Sequence, residues 1–164
     1  MRQFRTPGSA RGPLGNGRPY LHGDVNVTTT SDFEFIDGVV CRAEEKKAAG
    51  GDGALRTEER HALAIWAASG IIGNGGFQFY FENALSCEDA AEGYNSISMP
   101  KTAEIFRTAL SLFPGGRPQA DWSEALAFIR SKEDLFAKLS AEVWFSDAEM
   151  IPRLAAYLRA AGIR

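Results

Sequence analysis

Apolar side chains recur at three- and four-residue intervals along most of the chain, and almost no stretch alternates with period two. Phe33, Ile36, Val40 and Ala43 form the first such stripe, and Ser31 with Glu34 has capping-box spacing. A helix is therefore predicted from Ser31, ending at Gly50-Gly51-Asp52-Gly53. A second start falls at Thr57, where Glu58 and Glu59 complement the helix dipole. Ala62, Ile65, Trp66 and Ser69 continue it to a stop at Gly70 or Gly73. Ala90 to Ile97 reads as a short helix, and Met99-Pro100 opens another with Ile105, Phe106, Ala109, Leu110 and Phe113 as its stripe. After a loop at Pro114-Gly115-Gly116-Arg117-Pro118, Asp121 caps a helix carrying Trp122, Ala125, Leu126 and Ile129. Lys132 to Phe145 carries Leu135, Phe136, Leu139 and Val143 at helical spacing. Ser146 or Asp147 then caps a last helix with Ile151, Leu154, Ala155 and Leu158 inside. Asp24 to Thr30 alternates valine with polar residues but is too short and isolated to support a sheet. The pattern predicts an all-α fold, a single compact multi-helix domain.

One segment breaks the regularity. Gly73-Asn74-Gly75-Gly76 sets small residues directly before Phe77-Gln78-Phe79-Tyr80-Phe81, and Glu82-Asn83 closes the run. Asn74 is expected to cap a new helix, with Gly75 and Gly76 permitting a sharp turn or a close approach. Phe77, Tyr80 and Phe81 share one face at i, i+3 and i+4, Phe79 points elsewhere, and Asn83 is placed to end the helix or to bond a neighbouring loop.

Composition narrows the class. The 164 residues are 45% hydrophobic, ordinary for a globular chain with room for one core. No apolar run is long enough for a membrane span, and no apolar stretch follows the basic start, so a cytoplasmic protein is expected. Cys41 and Cys87 form neither a disulfide framework nor a zinc quartet, and each reads as a buried free thiol. Residues 1–24 collect glycine, proline and the arginines Arg2, Arg5, Arg11 and Arg18. They are expected to be a disordered extension, or else sequence upstream of the true start. Beyond Arg18 the chain is acidic, and from His61 to Pro100 it holds Glu82, Glu88, Asp89 and Glu92 with no lysine or arginine.

Asn74-Gly75-Gly76-Phe77 followed by Tyr80-Phe81 and Asn83 resembles the signature of the DMP-type DNA-mimic domain family, a widespread bacterial family. Ile97 to Ile105, with its Thr102-Ala103-Glu104-Ile105, and the closing Leu154 to Arg159 are similar to later parts of the family pattern. The resemblance covers residues 31–162, with residues 57–113 its specific part. One departure is Phe79, which stands where many members carry glutamine, with Gln78 one place earlier. The resemblance implies an α-helical domain whose namesake, as an acidic dimer, occupies the DNA-binding surface of a transcription factor. Carboxylates spaced like phosphates would then meet a basic groove. Glu82, Glu88, Asp89 and Glu92 are the candidate acidic patch, joined by Glu142, Asp147 and Glu149. The expected partner is a protein, in the mimic case a basic DNA-binding one, and a homodimer is part of the same implication.

Enzyme chemistry finds little support. Glu58-x-x-His61 has the spacing of a di-iron helix but lacks its companion ligands. Gly70 to Gly76 lacks the lysine and the preceding strand of a phosphate loop. Ser69, Ser86 and Cys87 have no evident catalytic base; His61 is the one candidate in the body. The folded body presents no basic nucleic-acid surface, although the arginines of residues 1–24 would bind polyanions weakly. No cofactor, metal ligand or catalytic residue is expected. The favoured reading is a non-enzymatic protein-interaction module. A small-ligand or hydrolytic pocket near Asn74, Gln78 and Asn83 and a toxin-neutralising partner domain stand as alternatives.

Overall fold

The computed structural model describes residues 27–83, 85–143 and 147–164. Among them are seven α-helices and no strand: α1 Val27–Gly50, α2 Thr57–Glu82, α3 Cys87–Ser96, α4 Pro100–Ser111, α5 Trp122–Ser131, α6 Glu133–Glu142 and α7 Asp147–Ala160. Single 3₁₀ turns at Asp52–Ala54 and Pro114–Gly116 shape two of the connections. The all-α expectation holds. Residues 1–24, Ser146 and the far end of the Lys132 to Phe145 segment lie outside the described residues.

α1 already runs from Val27, so Ser31 and Glu34 are exposed residues inside a helix and not its capping box. Tertiary contact explains the longer start. Asp32, nearly buried, forms an ion pair with Arg159 of α7 at 2.7 Å, and the same guanidinium lies 4.6 Å over the Phe35 ring. Ile36, Val39, Val40 and Ala43 then bury one side of α1.

α2 begins where the glutamates indicated. The carboxylate of Glu59 accepts the Arg56 amide at 3.0 Å and is also bonded by the Lys46 ammonium of α1. Burial alone would push the Glu59 carboxyl up. The Lys46 hydrogen bond, the Arg56 amide and the two positive charges outweigh it and hold the group below its ordinary range.

The stop expected at Gly70 or Gly73 does not occur. Each glycine costs the helix about 1 kcal/mol relative to alanine, but buried Ala68 and Ile72 carry it through. α2 breaks instead at Gly76, whose φ of 68° and ψ of −174° are open essentially to glycine alone. The break falls there because α6 supplies an acceptor: the Ser140 hydroxyl takes the freed Phe77 amide at 2.8 Å. The same hydroxyl donates to the Phe136 carbonyl at 2.7 Å, so both its functions are used. Asn74 is therefore not the cap. It is exposed, inside the last turn before the break, and its side-chain amide donates to the Gly70 carbonyl at 2.6 Å. Asn83 does end the helix, its side chain donating to the Phe79 carbonyl at 2.7 Å.

Beyond the break, Phe77, Tyr80 and Phe81 are buried and Phe79 is 46% exposed. The first two meet Phe106 of α4 edge-on at ring-centroid distances of 5.1 and 5.8 Å. Tyr94 of α3 stacks on Phe106 at 5.3 Å. Phe81 leads through Phe113 (4.8 Å) and Phe136 of α6 (5.4 Å), and Phe113 continues to Phe128 of α5 at 5.1 Å. Such edge-on and offset pairs contribute about 0.5–1.5 kcal/mol each beyond the area they bury. α3 reaches this core because Gly93 has no side chain: a Cβ there would stand 3.1 Å from Ile65 and 3.2 Å from the His61 Cβ of α2.

Three substitutions test this account. In denaturant unfolding, Gly76→Ala lowers stability by about 1–3 kcal/mol through its backbone conformation. Gly73→Ala, in open helix with nothing within 4 Å, raises it by about 0.5–1 kcal/mol. Glu59→Gln costs about 1–2 kcal/mol at pH 7. Because the folded-state pKa is depressed, the wild-type advantage is present above about pH 4.3 and disappears as pH falls through the lower folded-state value.

Candidate functional site

The acidic candidates do not all fall together. Ser86 caps α3, its hydroxyl oxygen accepting the Asp89 amide at 3.1 Å, and Glu88 and Asp89 occupy the first turn. Glu92 follows one turn later on the side of Glu88. Cys87, Ala90, Ala91, Gly93 and Tyr94 make up the buried face of this helix, which bears no lysine or arginine. Glu88 is exposed. Asp89, half-buried, has Arg60 of α2 at 3.8 Å, and Glu92, 69% exposed, has the His61 ring of α2 at 3.7 Å.

Glu82 belongs elsewhere. At the end of α2 it accepts from the Gln78 amide at 3.2 Å and faces Arg130 of α5 at 4.0 Å. The further candidates sit on other helices: Glu142 is exposed at the end of α6, Glu149 pairs with Arg153 at 2.7 Å, and Asp147 opens α7 with its pKa raised by burial. The structure thus assembles Glu88, Asp89 and Glu92 on one helix face and leaves Glu82 outside it.

Of the motif residues, Phe77, Tyr80 and Phe81 build the core. The amides of Asn74, Gln78 and Asn83 each bond within their own helix, so they do not converge on a ligand position. A groove of about 270 Å³ does lie beside α3, between α1 and α2. Leu55, Leu63, Ala64, Ala67 and Leu85 give it an apolar lining, and the charged residues around it include the pair Lys47–Asp52 at 2.8 Å and Asp89.

The buried thiol and phenols are held in their neutral forms. The Cys87 thiol donates to the Phe106 carbonyl at 3.4 Å, and burial, reinforced by Glu88, pushes its pKa far up. Its one candidate base, His61, is engaged elsewhere: Nδ1 lies 2.9 Å from the Tyr157 hydroxyl of α7. Burial also raises Tyr80 and Tyr94 well above the ordinary phenol range. Tyr80 donates to the Ser86 carbonyl at 2.9 Å, and Tyr94 to the Ile65 carbonyl at 3.4 Å. Cys41 departs from expectation. It is exposed on the outer side of α1, because the stripe of Ile36, Val40 and Ala43 turns position 41 to solvent. Glu58 faces Arg56 at 3.5 Å, and among the described residues no group of three or more histidine, cysteine, aspartate or glutamate side chains is placed to hold a metal ion. No helix among them is long and apolar enough to cross a membrane.

Sequence reasoning overlooked Ser140, Gly93 and the His61–Tyr157 pair. Each acts through a partner more than 25 positions away, and a serine or glycine inside a helical stripe carries no local mark of such a partner.

Fold and surface define an α-helical domain with an aromatic core and a carboxylate-bearing helix at its face. The sequence profile of the DMP19-like protein family matches residues 53–161, more than half of the chain, and the chain belongs to that family. The match takes in α2 to α7 and leaves α1 outside. No match was found among curated proteins or solved structures.

Burial predicts a simple chemical readout. In the native protein a thiol reagent modifies one cysteine per chain, Cys41, and reaches Cys87 only on unfolding; Cys41→Ser abolishes the native reaction.

Proposed function

We propose that this domain is a non-enzymatic protein-interaction module that meets a basic, DNA-binding protein through the outer face of α3. The observation that carries this reading is the placement of Glu88, Asp89 and Glu92 within two turns of a helix free of lysine and arginine. From Glu88 to Glu92 the helix rises about 6 Å. Three carboxylates over that length approach the charge density of a DNA strand, one phosphate per about 3.4 Å. Family membership supports the reading, since the resemblance that led to it implies DNA mimicry. The neutral interior adds support: Cys87, Tyr80 and Tyr94 are kept uncharged by burial. Arg60 beside Asp89 sets the limit of the patch on the α2 side.

Affinity capture with the full chain from its native cell, followed by identification of the retained protein, supplies the test partner. Binding is expected to weaken steeply between about 50 and 200 mM salt, as for phosphate-like contacts. Glu88→Lys, Asp89→Lys and Glu92→Lys together raise Kd by about tenfold or more, at about 1 kcal/mol or less per exposed charge contact. Unchanged affinity in the triple variant, with its fold intact by circular dichroism, refutes the proposal.

A further inference from the structure

His61 sits where α2 meets α3 and α7 and is only 4% exposed. Its Nδ1 faces the Tyr157 hydroxyl at 2.9 Å, the two rings stacked with centroids 6.0 Å apart. Its Nε2 is fully enclosed and has no hydrogen-bond partner. The Glu92 carboxylate faces that nitrogen at 3.7 Å, just beyond hydrogen-bond reach. An enclosed ring nitrogen left unpaired is costly, yet the missing partner stands within an ångström of its place. Because the Glu92 side chain is 69% exposed, it has room to close that gap.

The groups around the ring come from three helices. α2 contributes Glu58, one turn earlier, whose charge also acts on Tyr157; α7 contributes Tyr157 itself. α3 contributes Glu92 and Ser96, and its Gly93 brings the helix against the stem of the ring. The Ser96 hydroxyl lies beside Tyr157 and donates to the Glu92 carbonyl at 2.9 Å, so its oxygen is open to a further hydrogen.

We infer that His61, Tyr157 and Glu92 form a proton-operated latch that sets how much of the α3 carboxylate charge is presented to a partner. The negative charge of Glu92 beside Nε2 favours the hydrogen on that nitrogen in the neutral ring, which leaves Nδ1 to accept from Tyr157. A second proton goes to Nδ1. The Tyr157 oxygen then becomes the acceptor and turns its hydrogen toward Ser96. The imidazolium attracts Glu92 across an enclosed edge, where the interaction is screened less than at the surface. Glu92 closes onto Nε2, binds α3 more firmly to α2, and withdraws its charge from the outer face. Acidification is therefore the signal. The consequence for a partner rests on the α3 reading; the latch itself does not.

The test uses the full chain without any partner. Imidazole ¹⁵N NMR at pH 7.5 is expected to show the His61 hydrogen on Nε2. His22, the other histidine of the chain, is assigned by its own substitution. Hydrogen exchange of the α3 amides from 93 to 97, corrected for intrinsic pH dependence, is expected to slow about threefold at pH 5.5 relative to pH 7.5, the scale of a half-exposed ion pair. Glu92→Gln abolishes that slowing; its exposed position leaves the fold intact, whereas His61→Gln replaces a buried ring. A hydrogen on Nδ1 at pH 7.5, or the wild-type slowing persisting in Glu92→Gln, overturns the latch. Because no partner enters this readout, failure of the α3 interaction reading leaves it unaffected.

Discussion

The break in α2 is the constraint on which the rest of the fold turns. A helix of this length would carry its aromatic residues past the other helices unless its axis changed direction, and the change occurs at Gly76, in a backbone conformation that other residues avoid. Interrupting a helix frees backbone amides, and a freed amide next to an apolar core must find an acceptor. Ser140 provides it from α6. A Cβ at Gly76 would lie 2.7 Å from that same hydroxyl, so the turn and the cap depend on each other. With the second half of α2 set at this angle, Phe77, Tyr80 and Phe81 reach Phe106, Phe113 and Phe136, and four further helices assemble around those rings.

The opposite end of the molecule is held by different chemistry. Lys46 with Glu59 joins α1 to α2, and Asp32 with Arg159 joins α1 to α7. Arg42 and Arg56 tie the carboxyl-terminal segment through the carbonyls of Arg164 and Ala161 at 2.5 and 2.8 Å. In the first two pairs one partner is nearly buried and the other about half-exposed, so they fix orientation more than they add stability. They also engage much of the positive charge of the body near α1 and α7. Among the described residues, the carboxylates of α3 are met by Arg60 at Asp89 and by His61 at Glu92.

That division separates the work of the two faces of α3. Its inner face is small and apolar, with Gly93 allowing the closest approach and Tyr94 reaching the aromatic core. The outer face bears the charge. One of its carboxylates, Glu92, lies 3.7 Å from a buried imidazole whose other nitrogen meets a tyrosine of α7.

Much of the fold was legible in the chain. The 3.6-residue stripes located each helix among the described residues while reading α2 as two, Asp121 was identified as a cap, and Phe77, Tyr80 and Phe81 were assigned to the core. Those features depend on local periodicity and on hydrogen bonds spanning three or four residues, which a sequence displays directly. It also showed a run without basic residues around α3. It did not show where α1 begins, why α2 passes Gly70 and Gly73 to break at Gly76, that Asn74 caps nothing, or that Glu82 parts from Glu88, Asp89 and Glu92. Those outcomes were decided by Arg159, Ser140, Arg130 and His61, side chains distant in sequence whose contacts exist only once the helices have packed. Local pattern determines which segments are helices, whereas the place where a helix ends and the surface a charge occupies depend on what lies across the tertiary contact.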